Sequence, residues 1–221
     1  MRTRARGLTL LEVMVLLLIA AVLAGLLLPL FARTRNYSRH TTCSNNLSSI
    51  GKGMTMYADV PSNNGYFPTR GSKDDPYNDH EPLAAMNLLF REYVADPRFF
   101  SCPSKPVSPT AQARISATRD HALVPGGPFL SPSSCSYGYD PGHKPDSRSA
   151  NLADVKGPHG NSENHGIQPN GLGVGQNVVF GDGMTEWMMT PYRDLGNNQA
   201  DQDIYALDPK LPRELDGYIR Q

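Results

Sequence analysis

Residues 13–31 carry no charged side chain, and this uninterrupted apolar run constrains the chain more than any other feature. A helix rises about 1.5 Å per residue, so the run reaches roughly 28 Å, close to the hydrocarbon thickness of a bilayer. It is too long for an ordinary signal-peptide core, and no small-residue cleavage site follows it. The expectation is a segment that stays in the membrane. Mean hydropathy over all 221 residues is nevertheless −0.42, so everything outside the run is decidedly polar. Formal net charge is zero, which gives no support to a nucleic-acid partner.

Two residues are out of keeping with a plain anchor. Glu12 puts a carboxylate at the start of the apolar run, where a charge at mid-bilayer costs about 2.5–3.5 kcal/mol and less near the interface. Such a group asks for a partner. Pro29 lies deep in the same stretch, removes one backbone hydrogen bond, and is expected to kink or loosen the helix. Arginines flank both sides of the run (Arg2, Arg4 and Arg6 before it, Arg33, Arg35 and Arg39 after it), so charge alone does not orient it.

The segment Gly7-Leu8-Thr9-Leu10-Leu11-Glu12-Val13, behind a basic leader, resembles the signal of type IV prepilins and type II secretion pseudopilins. In that family a membrane peptidase cuts after the glycine on the cytoplasmic side, and the new amino terminus is usually methylated. The resemblance implies cleavage after Gly7, a mature chain beginning at Leu8 where the family usually has phenylalanine, and assembly roles for Glu12 and Pro29. Physical chemistry supports the carry-over. Cleavage creates a cation about one helical turn from Glu12, able to neutralise it in a low-dielectric setting. The motifs Cys43-Ser44-Asn45-Asn46-Leu47 and Gly65-Tyr66-Phe67-Pro68 are similar to a large group of bacterial prepilin-like proteins carrying a cleavage/methylation domain.

Between residues 32 and 59 there is no proline, and Cys43, Leu47, Ile50, Met54 and Tyr57 recur at helical spacing. One helix is therefore expected to continue from the membrane to about residue 58, with Gly51 and Gly53 weakening it by up to about 1 kcal/mol each. The organisation read from the chain is a leader over residues 1–7, an apolar assembly half of the helix over 8–32, a soluble half over 33–59, and a loop-rich head over 60–221. The fold expected is α+β: a pilin-like long helix packed on a small antiparallel sheet with long loops.

Within the head, residues 60–80 read as a loop, 81–95 as a helix, 98–103 and 136–139 as short strands, and 203–205 as a last short strand. Residues 104–135 and 140–175 read as long irregular segments. Asp182-Gly183 between β-prone runs predicts a two-residue type I′ hairpin turn. Three cysteines lack any CxxC pairing; a single bridge between Cys102 and Cys135 is the candidate disulfide, with Cys43 buried and inert on the helix. Asp194, Asp201 and Asp203 form a loose oxygen-rich set to be tested for calcium, which major pseudopilins bind in this region. His143, His159 and His165 lack metal-ligand spacing and are expected as solvated loop residues. The glycine-rich stretch from Gly171 to Gly175 has no Gly-Lys-Ser/Thr, and no nucleophile elbow exists, so no enzyme is expected.

The function these features imply is a pilin-like or pseudopilin subunit of the bacterial inner membrane with a periplasmic head. Its expected partners are the prepilin peptidase, other pilin or pseudopilin subunits, the inner-membrane assembly machinery and membrane lipid. The alternative is a monomeric anchored periplasmic protein that binds a ligand or glycan.

Overall fold

The computed structural model describes residues 9–72, 74–79, 81–90, 92–105, 130, 134–145, 148–158, 160–193, 202–206 and 219–220, with backbone alone for 28–33 and 36. It falls into two units, Met1–Ser38 and Arg39–Gln221. Helix α1, Leu10–Ala58, contributes to both.

In the first unit the stretch Leu10–Leu27 is long and apolar enough to cross a membrane, and its residues are exposed. The helical backbone continues through Pro29 without a break, although that residue's nitrogen has no hydrogen to donate to the Gly25 carbonyl.

The second unit is α+β. The part of α1 that belongs to it buries Cys43, Leu47, Ile50, Met54 and Ala58, which occupy successive turns of one face. Tyr57 is only half-buried and meets Tyr93 edge-on. A four-stranded antiparallel sheet has the order β1 (Tyr137–Tyr139), β2 (Ala150–Asp154), β3 (Gln176–Phe180), β4 (Thr185–Met188). Tyr137, Tyr139, Leu152 and Val179 join the helix residues in the main core, whereas Ala150, Ala153, Val178 and Phe180 pack with Ile204, Tyr205 and Ile219 in a second cluster. Arg220 bridges Tyr139 at the β1 edge. A small separate pair joins β5 (Tyr192–Arg193) to β6 (Gln202–Asp203).

Several expectations are corrected. The helix expected over 81–95 is only α2, Pro82–Met86, followed by a 3-10 turn at Asn87–Leu89. Phe90 turns to extended backbone and bridges Val94, while the Asn87 side chain accepts from the Leu130 amide. Residues Pro97–Phe100 form a 3-10 helix, not a strand, because Asp96 caps it by accepting from the Arg98 amide. Strand β2 lies in a segment read as irregular. All five of its residues are buried, Asn151 and Asp154 included, so it shows no apolar–polar alternation. The last strand among the described residues is β6, two residues at 202–203, not 203–205.

Gly51 has a packing role that its helix cost conceals. A Cβ at this position would lie 2.9 Å from Val179 Cγ1 in β3, and one at Gly53 would lie 2.8 Å from Val94 Cγ2. Alanine at Gly51 gains up to about 1 kcal/mol of helix propensity but forces a buried branched side chain aside at a cost of about 1–3 kcal/mol. Packing wins: Gly51→Ala lowers the head's unfolding midpoint in urea, by about 1 kcal/mol net. A raised midpoint would contradict this contact.

Candidate functional site

The start of α1 is built by Thr9. Its hydroxyl accepts from the Glu12 amide at 3.3 Å, and its own amide donates to Glu12 Oε2 at 2.8 Å. The hydroxyl also donates to the same oxygen at 2.9 Å. This is a reciprocal capping box, which satisfies donors that every helix N-terminus otherwise leaves open. Its signature, Thr9-x-x-Glu12 before an apolar run, is legible in the sequence, so Glu12 is a capping residue as well as a charge. The box holds the carboxylate against the first turn, next in sequence to the expected cleavage point. Gly7 and Leu8 lie outside the described residues.

A second constellation lies inside the head and centres on Asp154, the fully buried last residue of β2. Asp154 Oδ2 accepts from the Asn177 amide at 2.8 Å, from Asn177 Nδ2 at 3.1 Å and from His165 Nε2 at 2.9 Å. Oδ1 accepts from Asn164 Nδ2 at 2.9 Å, which also donates to the Ser136 carbonyl. The Tyr205 hydroxyl donates to the Asp154 backbone carbonyl at 2.6 Å. A carboxylate that cannot meet water is thus satisfied by four side-chain and backbone donors.

A carboxylate can only accept, so the Asp154 contact places the His165 proton on Nε2; Asn177 Nδ2, 3.1 Å from the same nitrogen, donates to Asp154 instead. Nδ1 keeps its lone pair, is buried, and has no hydrogen-bond partner among the described residues. His40 from α1 stands edge-on to His165 with ring centroids 4.8 Å apart, and to Trp187 at 4.1 Å. Its Nε2 is likewise buried without a partner among the described residues. Burial, followed by the neighbouring His165, holds the His40 imidazole below its usual pKa, with Asp154 opposing. Beside these rings runs a disulfide between Cys43 and Cys102, and both sulfurs lie within 4.8 Å of a His165 ring nitrogen.

A third network joins Asp140, His143 and Ser149, all fully buried. His143 Nε2 meets Asp140 Oδ2 at 2.8 Å, Nδ1 meets Ser149 Oγ at 2.8 Å, and Asn151 Nδ2 donates to that oxygen at 3.1 Å. The residue types are those of a hydrolytic triad, but with no surface exposed the serine meets no substrate in this conformation. The His143 carbonyl accepts from the Phe67 amide at 2.7 Å, so the network ties the 65–68 turn to the sheet. Both His143 and His165 are therefore buried and bonded, contrary to the expectation of solvated loop histidines; His159 lies outside the described residues.

No family model, curated protein or solved structure matches this chain.

The remaining expected site residues fall as follows. The bridge expected between Cys102 and Cys135 is replaced by Cys43–Cys102, because the buried face of α1 carries Cys43 against the segment that follows the Pro97–Phe100 turn. Cys135 is a buried thiol outside the disulfide whose Sγ donates to the Tyr137 carbonyl at 3.4 Å; burial pushes its pKa up to about 12, which keeps it protonated and unreactive. Asp182 and Gly183 do turn the β3–β4 hairpin, but through a three-residue loop. The Phe180 carbonyl accepts from the Gly183 amide at 2.9 Å, and Phe180 pairs with Met184. Only Gly183 has positive φ, at 84°, so the turn is not the type I′ form expected. Asp182 Oδ1 accepts from the Met184 amide, which makes it a turn former. Of the three acids considered for calcium, Asp194 and Asp201 lie outside the described residues. Asp203 caps the Tyr205 amide at 2.9 Å and lies 4.0 Å from Lys156 Nζ.

Proposed function

We propose that this chain is a pilin-like or pseudopilin subunit, cut after Gly7 by a prepilin peptidase and assembled from the inner membrane through the apolar half of α1, with its head on the periplasmic side. The observation that carries the reading is the Leu10–Leu27 stretch, apolar and wholly unburied, yet opened by a capped acid at Glu12. A helix with this much exposed apolar surface requires lipid or other helices around it. A carboxylate at its start requires a cation, and an amino terminus freed at Leu8 supplies one. The unmatched charge of a wrongly staggered neighbour then fixes the register between subunits.

Glu12 has two separable duties, and substitution distinguishes them. Glutamine can keep the capping box but not the charge; alanine loses both. The expected outcome is that Glu12→Gln and Glu12→Ala both remain in the membrane fraction while sedimentable polymer falls at least about tenfold, as for loss of a buried ion-pair partner. Parent-like polymer from Glu12→Gln would exclude charge pairing, and a parent that forms no sedimentable polymer would favour the monomeric alternative. That alternative would rest on the open cleft of about 450 Å³ beside the β3–β4 hairpin, lined by Met184, Trp187, Met188 and Tyr192, a size that suits a small ligand; a second cleft, lined by Tyr57, Asn63, Tyr66 and Thr69, is about 140 Å³ and small for a sugar.

A further inference from the structure

We propose that Cys43, Cys102 and His165, with His40 beside them, form a redox-gated site for a thiophilic divalent cation of the zinc type: closed as the disulfide, open to metal as the dithiol.

The arrangement has the parts of a metal centre and nothing in the pilin-like reading uses them. Both sulfurs and one His165 ring nitrogen already lie within 4.8 Å of one another. Zinc held at about 2.3 Å from sulfur and 2.0–2.1 Å from nitrogen spaces its ligands roughly 3.3–3.8 Å apart. Side-chain rotation therefore suffices once the sulfur–sulfur bond is gone. His165 is set up as a ligand: Nε2 donates to the Asp154 carboxylate at 2.9 Å, leaving the lone pair on Nδ1. A carboxylate behind a histidine is the usual outer-shell support of a zinc ligand. His165 is 4% exposed, so that lone pair is an unpaired polar atom in the interior, which proteins rarely tolerate without a use. His40 lies three residues before Cys43 on α1, hence on the same face, and its Nε2 is the second unpartnered nitrogen of the group. No His40 nitrogen belongs to the set of atoms within 4.8 Å, so the fourth position falls to water or to His40 after a rotation of its ring.

The chemistry balances. An external dithiol passes two electrons and two protons to the Cys43–Cys102 bond and becomes a disulfide itself. The cation then displaces the two thiol protons, and two thiolates with neutral histidine leave the site uncharged, which suits its burial. Both sulfurs are buried, so exchange proceeds through local opening.

The test uses the full chain in detergent, oxidised or reduced with a trialkylphosphine under anaerobic conditions, and titrated with Co²⁺. The reduced chain is expected to take up one Co²⁺ with a thiolate charge-transfer band in the near ultraviolet, and the oxidised chain none. Cys135→Ser should leave the titration unchanged. His165→Ala should weaken it by more than the roughly 10–100-fold typical of losing an outer-shell partner. If reduction unfolds the head, Co²⁺ should restore its far-ultraviolet dichroism. No uptake by a folded reduced chain, equal uptake by the oxidised chain, indifference to His165→Ala, or failure of Co²⁺ to restore an unfolded head would each overturn the proposal.

Discussion

Asp154→Ala is expected to destabilise the head by about 3–5 kcal/mol, the range for breaking a buried, paired charge. Three donors on Oδ2 and one on Oδ1 lose their acceptor together, and all are shielded from water by the sheet. Each orphaned donor costs about 1–3 kcal/mol on its own, but relaxation and shared partners keep the total below the sum. Asp154→Asn should recover part of the loss, because its one carbonyl oxygen can still accept from the Asn177 amide, while its amide must face the Asn164 amide or His165. Urea unfolding monitored by Trp187, the only tryptophan, reads both, since that ring touches His40 and His165. A cost under about 1 kcal/mol for the alanine variant would mean water enters the site and the network is not closed.

The second large effect is at the disulfide. Cys43 and Cys102 are 59 residues apart, and closing a loop of that size in the unfolded chain is worth about 4 kcal/mol by chain entropy. Cys43→Ser and Cys102→Ser should each lose about that amount, and the double variant little more, because a single bond is removed in every case. Cys135→Ala should cost far less, as it deletes a small buried thiol and one weak hydrogen bond. Alkylation of the denatured, unreduced parent should label one cysteine, Cys135. Label on Cys43 with none on Cys135 would restore the Cys102–Cys135 bridge.

What the sequence disclosed and what it concealed divide along physical lines. The uncharged run, the Cys43–Met54 stripe and the β3–β4 hairpin were legible because each is a local periodicity or turn signal. Strand β2 was not, since a strand buried on both faces with Asn151 and Asp154 in it loses the alternation that marks strands. The helix over 81–95 was overextended, because Leu83, Met86, Phe90 and Tyr93 have helical spacing but Phe90 leaves the helix to bridge Val94. The partner of Cys43 is a property of three-dimensional approach, not of spacing along the chain. So is the burial of His143 and His165, whose acceptor Asp154 and neighbour Ser149 come from and beside the strand that was missed. The Thr9–Glu12 box is the opposite case, a local signal written in four residues, in which the same carboxylate that marks a charge in the apolar run also caps the helix.

The central claim is that the apolar helix acts with a newly freed amino terminus beside Glu12. Mass analysis of the N-terminal peptide, from protein extracted from the membranes of its native host, tests it most directly. The account predicts a chain beginning at Leu8, with or without a methyl group on its amine. A mature chain that still begins at Met1 and keeps Arg2, Arg4 and Arg6 would contradict it.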